Sequence, residues 1–76
     1  MKILRQEFLE HEGFEYKLFD SLFLYEMGKM YVVAWNGLKT GWFGVKTSND
    51  MTPFDTLEEA TKEFERMMKI LSWQAE

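Results

Sequence analysis

The stretch that decides the fold is Asp55-Thr56-Leu57-Glu58-Glu59-Ala60-Thr61-Lys62-Glu63-Phe64-Glu65-Arg66-Met67-Met68-Lys69-Ile70-Leu71. Within it Leu57, Ala60, Phe64, Met67, Met68 and Leu71 recur at three- and four-residue intervals. On a helix that spacing makes one apolar stripe. Asp55 or Thr56 can cap the helix, and Thr56 with Glu59 forms a capping box, in which hydroxyl and carboxylate satisfy orphan amide donors reciprocally. Glu58–Lys62 and Glu65–Lys69 sit four apart in the favourable order, and early acids with later bases suit the helix dipole. The pattern predicts a helix over roughly 56–73. A helix apolar on one side only must bury that side against another layer.

The preceding residues read as that layer. Phe14, Tyr16 and Leu18 alternate with Glu15 and Lys17, as in a half-buried strand. The alternation loses phase at Asp20-Ser21, where a bulge or bend fits. Met27-Gly28-Lys29 reads as a turn. Met30 to Trp35 is apolar on both faces, as expected of a central strand. Asn36-Gly37, a strong hairpin signal, begins the next expected turn. Trp42 to Thr47 is the following strand, with Gly44 as a bulge or close contact. Ser48 to Pro53 reads as the loop into the helix. Residues 3–10 fit either a strand, paired with Phe14–Phe19 across His11-Glu12-Gly13, or an initial helix. The strand is favoured. The expected fold is α+β: an antiparallel four-stranded sheet, ββββα, with one C-terminal helix packed on one face. The alternative order is αβββα.

Seventy-six residues are expected to make one domain, 1–76. A chain of this size buries only about 60% of its unfolded surface, and without cysteine no disulfide or thiolate zinc site can add to its stability. Seven Phe, three Trp and three Tyr supply the apolar area, more than a thin sheet and one helix are expected to hide. A remaining apolar patch points to a partner or to self-association. The lack of cysteine, of a signal-peptide pattern and of a long uncharged apolar run leads to the expectation of a cytoplasmic protein.

Charge is unevenly placed. The net charge of −4 resolves into +2 over residues 1–6, −5 over 7–26, +3 over 27–49 and −4 over 50–76. Overall acidity argues against bulk nucleic-acid affinity, which depends on neutralising phosphates. Chemistry-bearing motifs are absent. His11 lies between Glu10 and Glu12, but as the lone histidine it reads as an exposed turn residue, with no metal site around it. Ser21, Ser48 and Ser72 lie in no nucleophile elbow, and Gly37, Gly41 and Gly44 open no helix. No catalytic residue and no cofactor are expected.

Two surfaces remain. Glu7, Glu10, Glu12 and Glu15 cluster on the first hairpin, where Glu10 with Glu12, or Glu7 with Glu15 across the ladder, would form a negative ridge. With Tyr25 and Trp42 as exposed aromatics, that ridge suits a protein partner with a basic surface. Alternatively, Lys29, Tyr31, Trp35, Lys39 and Lys46 interleave basic and aromatic groups as a nucleic-acid-binding sheet would, with Trp42 adding a stacking surface. A structural homodimer through an open sheet face or edge is the third possibility.

Tyr31-Val32-Val33-Ala34-Trp35-Asn36-Gly37, Gly41, and Phe54-Asp55-Thr56-Leu57-Glu58-Glu59-Ala60 with Phe64 resemble the WGR domain, over about half the chain. The resemblance implies strands followed by a helix. It departs at Asn36-Gly37-Leu38, which stands where that family has Gly-Arg, so its phosphate-binding arginine is missing. The whole profile (short, acidic, cysteine-free, a small sheet plus a helix) also resembles phage and mobile-element accessory proteins of the anti-CRISPR inhibitor type. That resemblance implies a non-catalytic inhibitor that occludes a nucleic-acid-binding surface of a host defence complex.

Overall fold

A computed structural model describes residues 1–75. Four antiparallel strands, β1 (Lys2–Gly13), β2 (Tyr16–Met27), β3 (Met30–Gly41) and β4 (Gly44–Phe54), form a meander in the order β1-β2-β3-β4, and α1 (Leu57–Ala75) packs on it. The α+β fold with a C-terminal helix is therefore as expected, and residues 3–10 are strand.

The helix starts where the capping chemistry places it. The Glu59 amide donates to Thr56 Oγ1 at 3.2 Å, and the Ala60 amide donates to the Thr56 carbonyl at 3.2 Å. Ala60, Phe64 and Leu71 are fully buried, with Met67 and Met68 half-buried beside them. Leu57, at the start of the stripe, remains largely exposed. The stripe lies on Leu22, Leu24 and Val33, with Leu4, Leu9, Tyr31, Trp35 and Phe54 around it. Arg5 crosses from β1 to stack its guanidinium 4.5 Å from the centre of the Phe64 ring, and reaches Glu65 at 3.9 Å. On the wet side Lys62 pairs with Glu58 at 3.7 Å. Arg66 donates to the Glu63 carboxylate, a hydrogen bond that holds the Glu63 carboxyl below its ordinary range. That contribution is present above the ordinary glutamate range and is lost as pH falls.

The strands are longer than the sequence pattern predicts, and two of the three hairpin turns lie elsewhere. Gly28-Lys29 is a turn as expected, with positive φ at Gly28, the first central position, as a II′ hairpin requires. His11-Glu12-Gly13 is strand, and the first turn is Phe14-Glu15. Glu15 carries a left-handed φ of 64°, which costs a non-glycine residue about 1–2 kcal/mol. Asp20-Ser21 is not bent. The irregularity falls in β1 at Leu4.

Asn36-Gly37 lies within β3, flanked by Asp20-Ser21 on one side and Ser48-Asn49 on the other. Gly37 is needed for a close approach rather than for a turn. A Cβ there would sit 2.8 Å from the Trp35 ring, which crosses it to donate Nε1–H to Asp20 Oδ1 at 3.0 Å. The β3–β4 turn is Trp42-Phe43, so the expected strand from Trp42 begins at Gly44. Ser48 to Pro53 is edge strand rather than loop. Its outer side faces solvent, so polar residues are tolerated there, and Pro53 removes one donor near the strand's end.

Phe64→Ala removes a side chain with 0% exposure and is expected to cost about 3–5 kcal/mol, whereas Leu57→Ala costs under a third of that. Urea denaturation of the two variants checks the ranking. Glu15→Gly relieves the left-handed turn and is expected to stabilise by about 1 kcal/mol in the same measurement.

Candidate interaction surface

Strand alternation gives the sheet two unlike faces. One carries Leu22, Leu24, Val33 and Trp35 and is packed by the helix. The other carries Phe23, Tyr25, Val32 and Ala34, and no element covers it. This open face is apolar over most of its length. Tyr25, at 8% exposure, lies sealed with Val32 and Ala34, and its hydroxyl donates to Met51 Sδ at 3.6 Å. Phe8 stands edge-on to Phe23, ring centres 5.9 Å apart and planes at 87°. Around them Phe8 at 66% and Met51 at 61% exposure project to solvent, with Ile3, Met27 and Met30 beyond. A hollow of about 540 Å³ indents the same face, lined by Phe8, Phe19, Ser21, Asn36, Leu38 and Thr47 among others.

The acidic residues do not make one ridge. Glu10 and Glu12 share the open face on edge strand β1, opposite Phe19 and Lys17. Glu7 pairs with Leu22 and stands on the helix side, and Glu15 is in the turn, so Glu7 and Glu15 are not opposed across the ladder. A two-residue turn that begins three residues later than the spacing implies, at Phe14 rather than His11, separates them. Tyr25, expected as an exposed contact, is buried. Trp42 is 81% exposed at the β3–β4 turn, edge-on to Phe43 with ring centres 6.1 Å apart.

The basic, aromatic set is divided as well. Lys29 lies in the turn at the opposite end of β3 from Lys39 and Lys46. Tyr31 and Trp35 pack into the helix-side core. Lys39 and Lys46 are directly opposite one another on β3 and β4. They are held by aromatic rings: the Lys39 ammonium lies 4.9 Å from the Tyr16 ring centre and 5.3 Å from that of Phe43, and the Lys46 ammonium 5.4 Å from Phe43. Tyr16 and Phe43 were not legible as members of this group, because their positions depend on where the turns fall. Phe14, 87% exposed at the neighbouring turn, joins Tyr16, Phe43 and Trp42 as a fourth aromatic at that end.

His11 is a half-buried strand residue rather than a turn residue, its ring centre 6.2 Å from that of Tyr16. Among the described residues no group of three or more His, Cys, Asp or Glu is placed to hold a metal ion, and no helix is long and apolar enough to cross a membrane. Comparison with protein-family models, curated proteins and solved structures returns no match.

Proposed function

We propose that this chain is a non-catalytic protein-binding module whose interaction surface is the open face of the sheet. The observation that carries this reading is the set of exposed large apolar side chains on the face opposite the helix, with Phe8 on one edge strand and Met51 on the other. Exposed apolar patches of this extent on a small domain are interaction sites or aggregation liabilities. The buried floor of Tyr25, Val32 and Ala34 gives a firm platform beneath them. Glu10 and Glu12 stand at one end of the same face, so the surface suits a partner that sets basic groups beside an apolar area. Such a module acts by occupying a surface, and its effect on the partner is occlusion rather than chemistry. Occlusion of a partner's surface is also how an inhibitor of the phage type would act.

A photo-crosslinking phenylalanine analogue at position 8 is expected to capture protein, whereas the same group at Lys62 on the wet side of the helix does not. Reversal of Glu10 and Glu12 to Lys is expected to weaken capture and flatten its salt dependence. Equal yields from positions 8 and 62 defeat the reading.

A second reading has one specific observation behind it. Lys39 and Lys46 are like charges held face to face, an arrangement that costs stability unless something offsets it, and four aromatic rings surround that end of the sheet. A single strand of nucleic acid would supply phosphates for the lysines and bases for Trp42 and Phe14. Titration with oligothymidylate tests it by Trp42 fluorescence. Quenching that Lys39→Glu with Lys46→Glu abolishes supports this reading, and no quenching at low salt removes it.

A further inference from the structure

We infer that the occupant of the open face is a second copy of this chain, packed sheet to sheet about a two-fold axis that runs across the strands. This rests on the reading of the open face as the interface.

The size fits. Four strands about 4.8 Å apart, each rising about 3.4 Å per residue, give the open face a footprint of several hundred Å², the order of the roughly 800 Å² that each partner of a standard interface buries.

The charge fits too. By strand register the only charged residues on this face are Glu10, Glu12 and Lys17, all towards one end. The remainder can therefore meet itself without opposing like charges. A charged partner would find nothing to pair with over the central part of the face.

The relief is that of a self-complementary surface. The hollow between Phe19 and Leu38 lies to one side of the Phe23–Ala34 pair, the middle of the apolar part of the face from Phe19 to Met27. Met27 and Met30, opposite one another and exposed, lie at the other end. A two-fold across the strands sets each copy's methionine pair over the other's hollow, and every contact is made twice. Flexible thioethers are suited to filling an irregular hollow.

The same operation keeps the face's few charges apart. It carries Glu10 and Glu12 of each copy over the uncharged methionine end of the other's open face, whereas the alternative two-fold, along the strands, gathers both copies' Glu10 and Glu12 at one end.

Sedimentation equilibrium of the full chain, from micromolar to near-millimolar loading, tests the inference. The expected result is a species of twice 9.1 kDa. Phe8→Glu and Met51→Glu, both at exposed positions and so compatible with the fold, are each expected to raise the dissociation constant at least a hundredfold. Circular dichroism verifies that they fold, and Lys62→Glu leaves the dimer intact. Because the chain has no cysteine, orientation can be read by mixing Met30→Cys with Leu38→Cys. Disulfide-linked heterodimer in excess over either homodimer is the expected product.

A monomer at every concentration overturns the second-copy inference. If the position-8 crosslinker still captures another protein, the open-face reading survives that loss. A dimer that Phe8→Glu and Met51→Glu leave unchanged overturns both. Preferential Met30→Cys homodimer overturns the proposed axis.

Discussion

The structure depends on one packing contact: the Phe64 stripe of α1 against Leu22, Leu24 and Val33. Each of these side chains contributes about 1.5–3 kcal/mol by leaving water, and the chain has no disulfide to add to them. The helix connects to β4 through Asp55 and Thr56 alone, so it must fold back at the end of the sheet where β4 finishes. There it meets the start of β1, the end of β2 and the start of β3. Arg5 reinforces the same place by stacking on the Phe64 ring.

One helix cannot cover this sheet. Nineteen helical residues span about 28 Å, while twelve strand residues span about 40 Å. The hairpin tips carrying Phe14, Trp42 and the lysine pair therefore extend past the helix-packed core. The opposite face has no cover at all. Its inner residues shield one another, Met51 over Tyr25 and Phe8 beside Phe23, yet their outer surfaces stay in water. The surfaces available for binding thus follow from a mismatch in area between the two layers. The open face is the larger and less charged of them, and for that reason it carries the functional proposal.

Much of this could be read from the sequence in outline and little of it in register. Thr56 and the Leu57-to-Leu71 periodicity located the helix because capping and amphipathicity are local properties. Asn36-Gly37 misled because the same dipeptide that closes a hairpin also lets an indole cross a strand. Ser48 to Pro53 misled because an exposed edge strand needs no apolar residues, so its composition is that of a loop. The aromatic lysine cluster was half legible: Lys39 and Lys46 were marked by composition, while Tyr16 and Phe43 joined them only through the turn positions.

The sequence by itself determined that a capped, one-sided helix follows a β-rich segment, that the two must pack together, and that aromatic surface would exceed what they can hide. Those are properties of near neighbours and of composition. Only the tertiary structure decided which strand face the helix takes, that Tyr25 is buried while Phe8 and Met51 are not, and that Glu10 and Glu12 share a face from which Glu7 is excluded. The physical reason is the two-residue period of a strand. Moving a turn by one residue exchanges the faces of everything beyond it. That choice was made by long-range pairing and by burial of the Phe64 stripe, which no local pattern records.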